Sequence, residues 1–508
     1  LFKKRKKIEN TQVQEQEEEV DKPITDEDEL FIIFSSSDDF INYKSYHRKN
    51  IYWISYYRDL IDGKVLHESI LPYLLEAEYS LESFKAKIPI DSTIITSDSK
   101  EIESKVMTGH VAIRLDNDLH TCLLINAAAQ QGRQVGTPEV EFGVIGAQEA
   151  FVEDITVNIN LVRKRLPTSK LKTKELDIGT LSKTKISIMY IEDIVDTKRV
   201  SELIHRINDI EFDQILDSSY LGQMLYDNSY TIFPLFLNTE RPDRVAASLA
   251  EGKVTIFVDR SPSILITPTT AIEYFQAIED YEMPWLQASA FRLLRMFAIL
   301  FSIFATPAYV AVLTFHYELM PKDLLETVVA SRTMIPFSPI IEAFFLEISI
   351  ELLREAAARL PTKIGQTIGI VGGIVIGQAS VAAGLTSNIL LIIVALSALA
   401  SFVPPVYKMG NAIRLLRFPF LIGAQLWGGL GIMVIAIFVL THLIKLQSVN
   451  SPYLEPIYPT RIQDFKDSFI RLPYSLFKKR PENLRTRDNL RHQTKLKKTK
   501  KSTNDFYE

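Results

Sequence analysis

Residues 364–407 read IGQTIGIVGGIVIGQASVAAGLTSNILLIIVALSALASFVPPVY, 44 positions without a charged side chain. A helix rises about 1.5 Å per residue, and roughly 20 apolar residues cross a hydrocarbon core of about 30 Å. The run therefore predicts two crossings, turning where Gly384, Ser387 and Asn388 cluster. Two further uncharged runs, Met296–Phe315 and Phe418–Ile444, bring the expected spans to four: 293–315, 364–385, 388–407 and 418–444. The whole-chain averages hide this, since mean hydropathy is only +0.06 and the formal net charge is −5 over 508 residues.

Working outward, the chain predicts an α/β region of two subdomains followed by an α-helical transmembrane bundle. Residues 1–29 pass from a basic block (Lys3–Lys7) to an acidic one and are expected to be disordered. No apolar core follows the basic block, so the first span is expected to serve as its own insertion signal. Arg292 and Arg295 just before it would hold the N-terminal region in the cytoplasm. Subdomain 1 is placed at 30–175, with helical patterns over Ser69–Ala86 and Ile125–Gln131. Gly109–Ile125 alternates like strands, with Val111, Ile113 and Leu115 on one face. Arg163–Lys174, with Pro167, reads as a linker.

Subdomain 2 is placed at 183–287. Strands are expected at Ile186–Ile191 and Val254–Val258. Helices are expected at Val200–Asn208, Tyr220–Tyr226 and Asp243–Glu251, the last stopped by Gly252. The transmembrane domain is set at 291–445 and a basic tail at 446–508. From 461 onward the tail holds 14 Lys/Arg against 6 Asp/Glu, a composition suited to anionic membrane lipids.

The single cysteine, Cys122, excludes an internal disulfide and a cysteine-based metal cluster. The eight histidines are scattered without metal-ligand spacing, and no nucleophile–base signature stands out. The reading is therefore not an enzyme, with no cofactor, no metal and no nucleic acid.

Two features of the membrane half carry information. Helix 337–359 is apolar enough to enter a membrane yet holds Glu342, Glu347, Glu351 and Arg354. Glu347, Glu351 and Arg354 share one helical face, and Glu342 points about 140° away. Charges at membrane depth cost about 2.5–3.5 kcal/mol each by insertion scales, so they should face water, a partner or a pore. These four residues are the ion-pathway candidates; the other reading is an amphipathic or re-entrant helix in the interface. The second feature is a glycine ladder, Gly365, Gly369, Gly373 and Gly377 with Gly372 beside it, which bares one helix face for close packing or for lining a pore. Four spans return the tail to the cytoplasm but leave Lys408, Arg414 and Arg417 outside; a fifth span at 337–359 reverses both.

The string PFSPIIEAFFLEISIELLREAAARLPTKIGQTIGIVGGIVIGQASVAAGLTS (336–387) closely resembles the membrane core of the A subunit of spore germinant receptors, the GerA family. TPEVEFGVIGAQEAFVEDITVNINLVRKRL (137–166), FPLFLNTERPDRVAASLAEGKVTIFVDRSP (233–262), EDYEMPW (279–285) and LQSVNSPYLEPIYP (446–459) are similar to the same family in order. Where the family usually carries Arg-Gly-Pro, Val144-Ile145-Gly146 stands here, so a role tied to that Arg or Pro does not transfer. The resemblance implies a multi-pass subunit in the bacterial cell membrane, specifically the spore inner membrane, with its N-terminal region in the spore core. It implies as partners a permease-like B subunit that binds the nutrient, a lipoprotein C subunit, and further copies of itself forming an ion channel. The competing function is a secondary transporter of small solutes or ions, which predicts broken helices repeated in two matching halves. A third class, a membrane-tethered enzyme or small-molecule-binding module, would show itself by a polar pocket in the α/β half.

Overall fold

The computed structural model describes residues 26–47, 50–76, 79–90, 92–129, 136–138, 141, 143, 145–360 and 373–491. They form two compact units interleaved along the chain.

The first unit takes the chain up to Gln134 together with Thr156–Glu175 and Ser187–Glu192. It starts with α1 (Asp26–Ser35), β1 (Phe40–His47) and β2 (Asn50–Tyr57). A π-helical turn, Val65–Ile70, runs into α2 (Leu71–Glu76), followed by α3 (Leu81–Lys87). Then come β3 (Thr93–Thr96), α4 (Ser99–Val106), β4 (His110–Leu115), β5 (Asp118–Asn126) and α5 (Ile155–Arg165). The strands pair antiparallel in the order β1-β2-β4-β5-β3.

Alternation along β4 explains why helices cover both faces of this sheet. Val111, Ile113 and Leu115 face one core with Leu66, Ile70, Leu74 and Phe84. Ala112 faces the other, with Phe31 and Phe34 of α1 and Ile102 and Val106 of α4.

Four sequence expectations change here. Residues 26–29, expected to be disordered with the rest of 1–29, open α1, whose Leu30, Phe31 and Phe34 are buried; residues 1–25 lie outside the described residues. Ile125 is not helical: it pairs with Thr93 and Val111, because the alternation runs on to Asn126. The pattern over Ser69–Ala86 is cut into separate pieces, α3 being capped afresh by Ser80, whose side chain accepts from Ser83 N. Arg163–Lys174 is no linker but the end of α5 and the start of β6 (Leu171–Ile178). Arg163 is buried, 2.6 Å from Asp39.

The second five-stranded sheet has the order β6-β7-β9-β10-β8. Its members are β7 (Thr184–Ile191), β8 (Leu237–Thr239), β9 (Val254–Val258) and β10 (Ile264–Thr267). Around them lie α6 (Thr197–Asn208), α7 (Ser218–Met224) and α8 (Pro242–Glu251). Gly252 ends α8 at φ 103°, the left-handed cap expected of it.

The rest of the second unit is helical: α9 (Trp285–Phe315), α10 (Lys322–Arg332), α11 (Pro339–Arg359), α12 (Gly373–Ala382), α13 (Asn388–Ala400), α14 (Tyr407–Trp427) and α15 (Gly429–Lys445). Side-chain contacts fix their directions. The root of α9 is clamped to the α/β part of this unit by Arg292, 2.9 Å from Asp280. Its far end, His316, accepts from Gly429 N at 3.1 Å. Tyr309 meets Ser387 at 3.2 Å and Ser397 Oγ donates to the Ser302 carbonyl at 2.9 Å, so α13 runs back along α9. Contacts of α11 with Ser387 and Ser401 give it the same sense. Lys408 touches Ser219 at the near end and His442 touches Thr231 there, so α14 runs out and α15 returns.

The described part of α12 runs out, from Gly373 beside Leu353 of α11 to Gly384, just past its end, beside the Met334 carbonyl, so the described residues of the bundle form six passages, α9, α11, α12, α13, α14 and α15, alternating in direction. The run 418–444, expected as one span, is two helices. Gly428 (φ 58°) breaks it, and the helices touch backbone to backbone, a Cβ on Gly431 falling 1.9 Å from the Gly423 carbonyl oxygen. Among the described residues, the one helix long and apolar enough to cross a membrane is α9; α12, α13 and α15 are shorter apolar helices.

After α15 the chain folds back. Ala271 N donates to the Tyr453 carbonyl at 2.7 Å, and Arg491 pairs with Glu251 of α8 at 2.7 Å. The basic tail therefore spends part of its charge on the protein: Arg480 is 3.0 Å from Asp488, and Arg487 bonds Thr197.

Candidate functional site

The carboxylates of α11 meet arginines inside the bundle. Glu347, 1% exposed, lies 2.9 Å from Arg417 of α14. Thr306 donates to its other oxygen at 3.0 Å. Arg417 also donates to Ser302 Oγ at 2.8 Å and to the Ser397 carbonyl at 3.0 Å. Four helices thus share one buried polar knot: α11 and α14 supply the charges, α9 and α13 the neutral partners. An ion in a low-dielectric interior is tolerable only when paired and hydrogen-bonded, and this one is both.

Glu342, 0% exposed, turns away from that knot. It pairs with Arg332 of α10 at 2.8 Å and accepts from Ser387 N, the N-cap of α13, at 3.2 Å. Glu351 sits one turn beyond Glu347 and pairs with Arg354 at 2.8 Å, with Arg414 of α14 at 3.6 Å. It is the most open of the three, its side chain 32% exposed. Arg354 lies over the Phe402 ring, 4.5 Å from its centroid. Arg414 and Arg417 are three residues apart on α14 and so present one face to α11.

The structure brings Glu347, Glu351 and Arg354 to one side of α11 and sends Glu342 to another, as the helical spacing requires. The partners Arg332, Arg414 and Arg417 were not among the sequence candidates. Their signal was present: two arginines three apart immediately before an uncharged run match carboxylates four apart on a helix. The uncharged run alone sets the expected span at 418–444 and so leaves Arg414 and Arg417 between two spans.

Of the glycine ladder, Gly365, Gly369 and Gly372 lie outside the described residues. Gly373 is exposed, with Leu353 4.0 Å from where its Cβ would be; Gly377 is buried against Leu391 at 3.6 Å.

A second set of charges ties the tail to the root of α9. Asp467 accepts from Tyr281 Oη at 2.8 Å and pairs with Arg292 at 2.8 Å. Burial pushes the Asp467 carboxyl and the Tyr281 phenol above their ordinary ranges, the neighbouring charges acting less strongly.

Together these features define a protein in which an α/β region carries a helical bundle closed on internal ion pairs. The profile described as "Bacillus/Clostridium GerA spore germination protein" matches residues 28–483. Spore germination protein GerQA of Bacillus cereus is 50% identical over 481 residues, covering 94% of this chain and 96% of that protein. Spore germination protein GerIA of the same organism is 54% identical over 442 residues, 87% of this chain and 66% of that one. Spore germination protein A1 of Bacillus subtilis is 38% identical over 425 residues, 83% and 88%. Among solved structures, the N-terminal domain of the A subunit of the Bacillus megaterium spore germinant receptor GerK3 aligns at 25% identity and TM-score 0.35, over 47% of this chain and 92% of that domain. The chain belongs to the GerA family of spore germination proteins.

Proposed function

We propose that the chain is the A subunit of a nutrient-sensing germination receptor in the spore inner membrane, and that its bundle is the membrane part of an oligomeric cation channel. The nutrient binds a permease-like B subunit, a lipoprotein C subunit completes the receptor, and the channel opens in response. The observation that carries this reading is the row Glu342, Glu347, Glu351 on α11, each held by an arginine from α10, α11 or α14. With Arg332, Arg354, Arg414 and Arg417 against the three carboxylates, pairing leaves no uncompensated negative charge in the row and keeps the bundle closed. In a ring of subunits, Glu351 is the carboxylate least enclosed by its own chain, and a ring of such groups favours cations. Glu342 and Glu347 lie deeper and join the route when the pairs shift.

The test is cation release from spores on nutrient addition, with receptor abundance followed in parallel. Glu351→Gln is expected to slow release while the subunit and its partners stay at parental levels. If Glu351→Gln, Glu347→Gln and Glu342→Gln all release cations as the parent does, the row only packs the bundle.

A further inference from the structure

Away from the bundle, a cavity of about 480 Å³ opens between α8, the segment 270–282 that leads into α9, and the folded tail from Pro456 to Arg491. That is the size of a small-molecule site. Ala247, Ile272, Ile278 and Tyr474 give it apolar walls. Six carboxylates line it, Asp243, Glu251, Glu273, Glu282, Asp464 and Asp467, against three cations, with Arg241 and Arg292 reaching Asp243 and Asp467 from outside the lining at 2.7 and 2.8 Å.

Those cations are already engaged. Arg491 holds Glu251, Lys253 holds Glu273, and Arg244 is drawn to Glu141 at 2.7 Å. Asp464 accepts instead from the backbone N–H groups of Glu482 at 2.9 Å and Asn483 at 3.1 Å. Burial raises its carboxyl above the usual range, as it does that of Asp467. Negative charge is thus withdrawn from water at the edge of an apolar space, where a cationic group regains what the desolvated carboxylates have lost.

We propose that this cavity binds a small organic cation, a protonated amine on an apolar body, with the ammonium group toward Asp464. Asp467 and Tyr281 belong to the same wall and also grip Arg292 in the first turns of α9. An occupant therefore acts on the root of the first long helix of the bundle.

The experiment uses the full chain purified in detergent, with 2-phenylethylamine as the probe and 3-phenylpropanoate as its counterpart of opposite charge, binding being read by saturation-transfer NMR. The amine is expected to bind saturably and at least about tenfold more tightly than the carboxylate, a factor of one decade in dissociation constant. Ala247→Trp, which sets an indole across the open side of the cavity, should abolish saturable binding, and Asp464→Asn should weaken it about tenfold. Thermal melts of both variants report whether they fold, and Ala247→Trp decides the matter if Asp464→Asn does not. Equal binding of amine and carboxylate, or binding by Ala247→Trp like that of the parent, overturns the proposal. No ion conduction is read, so failure here is separate from failure of the channel reading.

Discussion

Removing Arg417 strands Glu347 in the bundle, whereas removing both leaves only a gap in polarity. Breaking a buried pair by deleting one partner typically costs about 3–5 kcal/mol, and replacing both can be close to neutral. Arg417→Met should therefore lower the melting temperature of the detergent-purified chain steeply, and Arg417→Met with Glu347→Gln should recover more than half of the loss. A double variant as unstable as the single one would mean that Ser302 and Ser397, not the carboxylate, are what Arg417 holds. In the first unit, Asp59 makes a pH-dependent case. Burial, and then the charge of Asp39, raise its carboxyl to about 7, with Arg58 and Arg163 opposing and Glu175 adding to the rise. The unfolded value is near 4. The folded state thus binds this proton more tightly, so Asp59 contributes stability that is full below about pH 4 and is lost as pH rises through about 7, about 4 kcal/mol at the outside. Melts between pH 5 and pH 8 should show the parent losing stability relative to Asp59→Asn; parallel curves would sink the idea. The sequence announced the carboxylates of α11 by their cost but was silent on Asp59, whose partners Asp39 and Arg163 come from distant segments.

Glycine at the scale of elements behaves differently in its two settings. Gly423 and Gly431 let α14 and α15 meet at their backbones, and any side chain at 431 collides with a carbonyl that cannot move aside. Gly373 faces open space apart from Leu353. Gly431→Ala is therefore expected to destabilise the purified chain by about 1–3 kcal/mol, in the range of overpacking, and Gly373→Ala to leave its melting temperature unchanged. If Gly373→Leu is stable alone yet fails to assemble, the ladder face is a contact between subunits; normal assembly would remove that role. The strands and helices around β7, β9, α6 and α8 were legible because periodicity, caps and Gly252 agreed with one another. The break at Gly428 was not, because apolar content measures membrane compatibility and is blind to direction. The three glycines at 428, 429 and 431 after Trp427 were the local sign of it.

Across the whole chain, the folded tail and the six passages answer the same question about sides. Residues 446–491 pack on the α/β part of their own unit, through Tyr453, Asp467 and Arg491. Both must then lie on one side of any membrane the bundle crosses, and the number of crossings must be even. Four spans satisfied this but left Lys408 and the arginines of α14 on the wrong side; five spans moved the tail away. We propose six crossings, one for each passage, which removes the conflict. Lys408 is at the near end, touching Ser219, with Arg292 and Arg295 at the same end. Arg414 and Arg417 are inside the bundle, matched by Glu351 and Glu347. Of the far-side connections, 383–387 and 428 carry no charge at all, while 316–338 holds Lys322 and Arg332 beside Glu318, Asp323 and Glu326, Arg332 being paired with Glu342. With Cys122 buried, introduced cysteines can report the arrangement. Lys322→Cys, on the far side, should react with a membrane-impermeant maleimide in intact cells, and Lys478→Cys, in the tail, only after permeabilisation. Labelling of both from the same side would refute the alternating six-passage path, because the start of α10 and the tail would then be separated by an even number of crossings rather than the odd number that α11 to α15 supply.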